Sequence, residues 1–526
     1  MTDSSASRSG DPIRRIARGS ALTGLGALVA AGGGVALTLM IARAFLPEVA
    51  GTFFASTTLF LIVGTLAQLG TDVGLVRYLS AHSATGQEHR LTETLRIALL
   101  PVLAVSLCCA VALGLLASPL ADWIGSSAVH DDATLMLRWL APFVPVVAVY
   151  GALLAATRGL GSMKPTVSID SIFRSLAQPG LVLLTVLAGG GPTAAVLAWV
   201  APYVVGTAWC VRSLILAAPT GIGTTYTPPV HDVAPSASAR GLTRDFWSFT
   251  GARAAAGAVL VVWRRFDILL VAALAGPADA AIYTAATRFL VVGNLGIQAV
   301  LMAVSPQLAR LFARHDNAGA NRVFATSTLW TMVFSWPMYL VTAAAAGLVI
   351  PIFGAGYSAG TGSVVVLSLA MLVATACGSV DAVLLMSGRS LLSLANAVIT
   401  LVVNIALDLV LIPRIGILGA AIGWACAIAL RNLLALAQIH QLLGMWAFSR
   451  RTAWVAGLST ACFGVVPAWL HLTSADTPEL VLSLMGGGVL YLAWLWRERR
   501  SLELDVFARA LRRNRAETTT SQEALS

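Results

Sequence analysis

Long apolar stretches separated by short polar segments run along almost the whole chain. Fourteen of these stretches have 18 or more residues, enough for a helix to cross the hydrocarbon core of a bilayer. The two-residue alternation of a β-barrel is absent, and helices satisfy their own backbone groups in lipid. The pattern predicts an all-α integral membrane protein with about fourteen transmembrane helices. Numbered 1 to 14, the predicted helices cover residues 20–44, 51–79, 95–117, 133–157, 166–188, 192–217, 246–274, 280–306, 325–349, 362–386, 391–412, 417–441, 453–471 and 478–496.

Composition supports this class and excludes others. Of the 526 residues, 57% are hydrophobic and only 11% are charged, and the mean hydropathy is +0.82. Soluble domains carry about 25% charged residues, so a water-soluble enzyme is excluded, as is a nucleic-acid-binding protein despite the net charge of +10. All six cysteines fall inside predicted helices without metal-ligand spacing. We therefore expect no disulfide scaffold, no metal site and no cofactor.

The positions of the cations predict the orientation of the chain. With the N-terminus in the cytoplasm, nearly all loop cations lie on the cytoplasmic side, and Arg414 is the one cation of the outer loops. Both termini are then cytoplasmic, in a multi-pass protein of the bacterial cytoplasmic membrane. The first apolar stretch exceeds the length of a signal-peptide core, so we interpret it as an uncleaved helix.

The second half of the chain repeats the first at an offset of about 230 residues, most visibly where 45–53 matches 275–283. Six helices per copy place both copies in the same orientation, which predicts a parallel repeat of two pseudo-symmetric lobes. The predicted organisation is a cytoplasmic N-terminal segment 1–19, an N-lobe 20–217, a cytoplasmic linker 218–245, a C-lobe 246–441, two further helices within 453–496, and a basic cytoplasmic tail 497–526.

Predicted helix 7 carries a group of charges at membrane depth. Arg264, Arg265 and Asp267 lie about 12–16 Å from its outer end at about 1.5 Å per residue. Charges in this position are expensive and indicate function. One carboxylate cannot neutralise two guanidiniums, so we predict that they line a water-filled cavity and attract an anionic group. The alternative is a structural pair of Arg264 and Asp267, with Arg265 reaching toward the membrane surface.

Two further arginines complete the candidate substrate-binding residues. Arg288 lies in predicted helix 8, about two turns from the outer side, and Arg43 lies near the outer end of helix 1. The alternative for Arg43 is a side chain that extends to the membrane interface.

A second group of polar residues forms candidate sites for a coupling proton or cation. The alternative is that they bond only to neighbouring helices. These candidates are Asp170 and Arg174, spaced to pair on helix 5, Asp381 on helix 10, and Asn404 and Asp408, four residues apart on helix 11.

Four segments resemble the polysaccharide-flippase branch of the multidrug/oligosaccharidyl-lipid/polysaccharide (MOP) exporter superfamily. Residues 43–53 resemble the first loop of that branch, and 69–79 the end of its second helix. Residues 265–270 are similar to its seventh helix, and 404–421 to the junction of its eleventh and twelfth helices. The resemblance implies a V-shaped transporter that flips a polyprenyl-pyrophosphate-linked oligosaccharide by alternating access. The implied partners are that substrate, membrane lipids and glycosyltransferases or a polymerase of the same pathway, but no nucleic acid.

Three other functions remain open at this point. A lipid II flippase belongs to the same superfamily. A cation-coupled multidrug exporter typically has an acidic site in its first lobe; helix 1 has no acid, whereas Asp72 and Asp170 keep this alternative open. A membrane-embedded polymerase or glycosyltransferase would use the outer residues His130, Asp131 and Asp132 as a base or metal ligands. The sequence has no P-loop and no Gly-x-Ser-x-Gly motif, so we predict a transporter without catalytic residues.

Overall fold

The computed structural model describes residues 12–125, 127–217, 239–472 and 477–498. The described part is helical and contains no strand, so the predicted all-α membrane fold is confirmed. Most of the predicted segment 1–19, linker 218–245 and tail 497–526 lies outside the described residues. The α-helices are α1 (Pro12–Ala44), α2 (Pro47–Leu66), α3 (Thr71–Ala84), α4 (Glu88–Leu115), α5 (Ala117–Ile124), α6 (His130–Leu140), α7 (Val144–Gly159), α8 (Ser175–Leu187), α9 (Pro192–Ala217), α10 (Ala239–Ala275), α11 (Pro277–Ala313), α12 (Asn317–Ala344), α13 (Ala346–Val349), α14 (Thr361–Ala376), α15 (Val380–Met386), α16 (Ser390–Ile415), α17 (Ile417–Leu443), α18 (Arg450–Thr460), α19 (Val466–Leu472) and α20 (Thr477–Arg497).

Ten helices among the described residues are long and apolar enough to cross a membrane. The count rises to eleven if Asn317–Ala344 and Ala346–Phe353, which are bent by 65° at a short break, form one span. The predicted count of fourteen is therefore not confirmed. Predicted helices 5, 7, 8 and 9 have no counterpart among the ten, and helix 9 corresponds to the bent pair. Helix 5 divides into a π-helix, Thr166–Arg174, followed by α8, while helices 7 and 8 coincide with the 37-residue helices α10 and α11.

Several stretches that the sequence predicts as continuous helices are broken. Predicted helix 2 ends at Leu66 and resumes as α3 because Leu69 and Gly70 are left-handed, with φ of 55° and 71°. A Cβ on Gly70 would lie 2.8 Å from the Cα of Ala254, so glycine serves both the turn and the close approach of α10. Predicted helices 4, 9, 10 and 13 are interrupted at 141–143, 345, 377–379 and 461–465.

The first compact unit of the chain comprises Met1–Thr284. Within it, α10 packs along α2 and α3. The start of α11 also lies against α2, because a Cβ on Gly51 would stand only 1.6 Å from the carbonyl oxygen of Pro277. This backbone-to-backbone contact leaves room only for glycine at residue 51. The lobe boundaries that the internal repeat predicts stay a prediction, since the linker lies largely outside the described residues.

The second compact unit comprises Ala285–Ser526. In this unit α12 packs against α14, α14 against α17, and α17 against α16. The C-terminal helices α18 and α20 lie against α12, where Val455 packs with Leu329, Met332 and Val333. The hydroxyl of Tyr491 on α20 donates to the carbonyl oxygen of Val333 at 3.0 Å. The two helices outside the predicted repeat are thereby fixed to this unit.

Helix α16 shows why the fold suits a membrane. Its outward face is apolar: Val402 is 60% exposed and Leu409 52% exposed. Its inward stripe at four-residue spacing is polar, which reverses the pattern of a soluble helix. The stripe consists of the buried polar residues Asn396, Thr400, Asn404 and Asp408, and it ends on the buried apolar Ile412.

Candidate functional site

The carboxylate of Asp267 on α10 is buried inside the first unit. Its Oδ2 accepts a hydrogen bond from the hydroxyl of Tyr283 at 2.9 Å, and its Oδ1 accepts one from the backbone N–H of Ile268 at 2.9 Å. Tyr283 is fully buried at the start of α11. The sequence did not single out Tyr283, although the repeat aligns it with the buried Phe53 and so offered a signal. The side chain of Arg264 lies outside the described residues, and its predicted pairing with Asp267 stays a prediction.

The other candidate cations stand in different surroundings. Arg265 is exposed on α10, two residues before Asp267 and so roughly opposite it around the helix. Arg288, in the second unit, is half-buried on α11. Arg43 is exposed in the last turn of α1, where a cation complements the negative end of the helix dipole. Arg43 and Arg265 thus belong to the first unit, and Arg288 belongs to the second.

In the first unit, the predicted pair of Asp170 and Arg174 is confirmed. Arg174 Nε donates to Asp170 Oδ1 at 2.7 Å. The pair sits in the π-helix Thr166–Arg174, a helical form that often accompanies function. Tyr150 on α7, which no sequence signal identified, donates its hydroxyl to the same Asp170 oxygen at 3.1 Å.

The Arg174 guanidinium continues this network toward α9. Its Nη1 donates to Gln178 Oε1 at 3.0 Å, and Gln178 Nε2 donates to the carbonyl oxygen of Trp199 at 3.0 Å. Its Cζ also lies 5.4 Å from the ring centroid of Tyr203. The charge of Asp170 is therefore neutralised inside the unit, and the network ties α7, α8 and α9 together.

In the second unit, Asp381 forms an ion pair with Arg431 of α17. Arg431 Nη2 lies 2.9 Å from Asp381 Oδ2, and Ser393 Oγ lies 3.4 Å from Asp381 Oδ1. The sequence analysis did not use Arg431, although a cation inside predicted helix 12 was a signal for such a pair. Asp381 thus bonds to a neighbouring helix, as the alternative interpretation expected.

Asn404 and Asp408 of α16 form a separate, more deeply buried group. Asn404 Nδ2 donates to Asp408 Oδ2, and Asp408 is fully buried. A Cβ on Gly423 of α17 would clash with Asp408 Oδ1, so only glycine at residue 423 leaves room for that oxygen. Within the described part, Asn404 Oδ1 has no hydrogen-bond partner. Carboxylate and carboxamide oxygens are suited to a proton or a small hard cation.

The first turn of α6 contains His130, Asp131 and Asp132, which the sequence analysis expects in an outer loop. His130 Nδ1 contacts Asp122 Oδ1 at 3.0 Å, and the two acids lie where the helix dipole favours negative charge. No group of three or more His, Cys, Asp or Glu that could hold a metal ion occurs in the portion of the chain that the structure describes.

A family model described as "Polysaccharide biosynthesis protein" matches residues 16–312, more than half of the chain. The chain belongs to this family. No curated protein sequence matches it. This membership confirms the polysaccharide-biosynthesis part of the resemblance. With ten helices long and apolar enough to cross a membrane, this family member is a multi-pass membrane protein.

Solved structures with the same fold are distant in sequence. A lipid II flippase, MurJ, in an inward closed conformation has a TM-score of 0.71 at 12% identity, covering 91% of this chain and 99% of its own. An inward-facing multidrug resistance MATE family transporter has a TM-score of 0.63 at 14% identity, covering 78% of this chain and 94% of its own. A MOP superfamily transporter from Pyrococcus furiosus has a TM-score of 0.53 at 15% identity, covering 83% and 96%. At these identities the likeness concerns the fold alone.

Proposed function

We propose that this member of the polysaccharide biosynthesis family flips a polyprenyl-pyrophosphate-linked oligosaccharide across the bacterial cytoplasmic membrane, for cell-surface polysaccharide biosynthesis. The observation that carries the proposal is a set of arginines in the long helices α10 and α11 of a chain from this family. A pyrophosphate is anionic, and the guanidinium fork matches phosphoryl oxygens. In this proposal Arg264, Arg265 and Arg288 bind the pyrophosphate, and Arg43 contacts it where the substrate leaves on the outer side of the membrane.

Asp267 takes a supporting role in this proposal. Because its carboxylate is buried and held by Tyr283 and Ile268, it orients α10 rather than contacting the substrate. Arg265 is exposed on the same helix, so a headgroup can reach it.

The proposed mechanism is alternating access without ATP. The sequence contains no P-loop, so an ion gradient or the membrane potential supplies the driving force. We assign the coupling ion to Asn404 and Asp408, because their hydrogen-bonded side chains bring carboxylate and carboxamide oxygens together at a deeply buried position. Both termini lie in the cytoplasm, and the protein is not an enzyme.

The substrate assignment is tested by flipping in vesicles. Purified protein is reconstituted with a labelled lipid-linked oligosaccharide, and its exposure in the outer leaflet is measured. Arg265→Ala and Arg288→Ala are each expected to slow flipping about tenfold or more, since each removes a charge-assisted bond. Arg96→Ala, an exposed cation of α4, is the matched control and is expected to retain the wild-type rate. Wild-type rates in both test variants would overturn the site assignment.

The coupling assignment is tested with imposed ion gradients in the same vesicles. Asp408→Asn is expected to abolish stimulation by the coupling gradient. Asp170→Asn retains the stimulation, as does the control variant Asp72→Asn at an exposed position. Full stimulation in Asp408→Asn would refute the assignment to this pair.

The alternative functions give different results in the same preparation. A lipid II flippase moves lipid II in preference to the oligosaccharide carrier. A cation-coupled multidrug exporter moves cationic drugs and is indifferent to Arg265→Ala. A polymerase or glycosyltransferase changes the length of the sugar, which chromatography of the recovered lipid detects. Each of these results would replace the proposed substrate or activity.

A further inference from the structure

Two arginines from different helices converge on one aromatic ring in the first unit. Cζ of Arg77, on α3, lies 4.2 Å from the ring centroid of Phe249, and Cζ of Arg253, on α10, lies 5.5 Å from the same centroid. Phe249 and Arg253 are four residues apart and share a face of α10. Because α3 packs against α10, two like charges are brought to the same place.

The ring that holds the two arginines is itself fixed. Tyr78 of α3 lies 5.4 Å from Phe246 and 6.3 Å from Phe249, measured between ring centroids. Gly74 allows this contact, because a Cβ there would stand 3.0 Å from Phe246. Tyr78 and Phe246 are both buried. The ring against which both guanidiniums lie is thus held by packing, which limits the ordering that binding requires.

The charges of Arg77 and Arg253 are not neutralised within the described residues. Neither forms an ion pair or a hydrogen bond there; stacking on Phe249 is the contact that each makes. Stacking uses the face of a guanidinium and leaves the in-plane N–H donors available. Asp245, one turn before Phe249 on α10, is an exposed acid that forms no ion pair in the described part.

We propose that Arg77, Phe249 and Arg253 form a binding site for the phosphoryl group of a lipid headgroup at the cytoplasmic surface of the membrane. On the predicted topology, Arg77 lies near the end of helix 2 and Arg253 near the start of helix 7, both on the cytoplasmic side. Headgroup phosphates stand at this level, and paired guanidiniums bind them through charge-assisted hydrogen bonds.

The identity of the ligand rests on the proposed function. We infer that the site binds the pyrophosphate of the lipid-linked sugar at the cytoplasmic surface before the lipid is flipped. An anionic phospholipid offers the same phosphoryl chemistry. A direct binding measurement on the full-length protein in detergent separates the two sources. The probes are a short-chain polyprenyl pyrophosphate, the corresponding polyprenol, and phosphatidylglycerol.

The variants are chosen to separate charge, stacking and folding. Arg77→Ala and Arg253→Ala each remove one cation, and Phe249→Leu keeps both cations but removes the ring. Arg96→Ala changes the net charge equally at an exposed position of the same unit. We expect polyprenyl pyrophosphate affinity to fall about tenfold or more in each arginine variant and severalfold in Phe249→Leu. Arg96→Ala stays within about twofold of wild type, and the polyprenol binds all variants equally.

The results show which lipid supplies the phosphoryl group and whether the site exists. If the arginine variants lose phosphatidylglycerol but not polyprenyl pyrophosphate, the phosphoryl site stands and its ligand is bulk lipid. If they bind both probes as tightly as Arg96→Ala does, the site is refuted, whatever the flipping assay shows. If an arginine variant fails to fold, the binding of both probes by Phe249→Leu is compared with that of Arg96→Ala instead. Wild-type protein that binds polyprenyl pyrophosphate at this site without flipping any lipid-linked sugar would refute the proposed function and leave the site.

Discussion

Replacing Tyr283 by phenylalanine removes one hydroxyl group, and with it the hydrogen bond to Asp267 Oδ2 at 2.9 Å. The change leaves the ring, which is fully buried between α10 and α11, in place. No cavity of appreciable size is created, so the effect on stability reports the interaction with the carboxylate rather than lost packing.

The expected magnitude follows from the surroundings of the carboxylate. A hydrogen bond to a charged group contributes about 1.5–3 kcal/mol, and a buried acceptor that loses its donor cannot recover the bond from bulk water. Asp267 Oδ1 keeps its bond from the N–H of Ile268, so the carboxylate is not left without any donor. We therefore expect Tyr283→Phe to lower the free energy of unfolding by about 2 kcal/mol.

Two other tyrosines provide matched controls for the measurement, which is denaturant-induced unfolding of the protein in mixed micelles. The hydroxyl of Tyr339 is buried without a hydrogen-bond partner in the described part, so Tyr339→Phe is expected to be neutral or stabilising. The hydroxyl of Tyr491 donates to a neutral carbonyl oxygen, and Tyr491→Phe is expected to lose about 0.5–1.5 kcal/mol. We therefore predict that the loss of unfolding free energy is largest for Tyr283→Phe, smaller for Tyr491→Phe and smallest for Tyr339→Phe. A Tyr283→Phe variant as stable as Tyr339→Phe would refute the view that Tyr283 stabilises a charged Asp267.

Further substitutions test contacts elsewhere by the same unfolding measurement. Gly51→Ala is expected to lose about 2 kcal/mol or more, because its Cβ would meet the carbonyl oxygen of Pro277 at 1.6 Å, whereas Gly257→Ala, with open space around it, gains about 0.5–1 kcal/mol; equal effects would contradict the close approach. Arg174→Ala is expected to lose about 1–3 kcal/mol by stranding its partly buried carboxylate partner, and adding Asp170→Asn should recover part of that loss; no recovery would argue against the pair. Gln438→Leu breaks two amide hydrogen bonds between α17 and α16 at 2.8 and 2.9 Å and is expected to lose about 1–3 kcal/mol, and an unchanged stability would refute that link.

The candidate site was predictable only where both partners lie on one helix. Asp170 and Arg174 are four residues apart, and their pairing follows from helical geometry alone. The partners of Asp267 and Asp381 come from other helices, at sequence separations of 16 and 50 residues. No local periodicity specifies such partners, because they depend on which helix faces are packed together.

The sequence by itself determined that the chain is a helical membrane protein, because hydrocarbon admits only long apolar segments that satisfy their own backbone bonds. It also indicated which residues are expensive at membrane depth and therefore informative. The tertiary structure decided where those helices break and which charges are neutralised. At the turn on Gly70, α10 comes so close that a Cβ on residue 70 would lie 2.8 Å from the Cα of Ala254. Arg77 and Arg253 both contact Phe249 because α3 packs against α10. The apolar segments of the sequence determine where the helices form, whereas the packing of helix faces determines which partners each charged side chain meets.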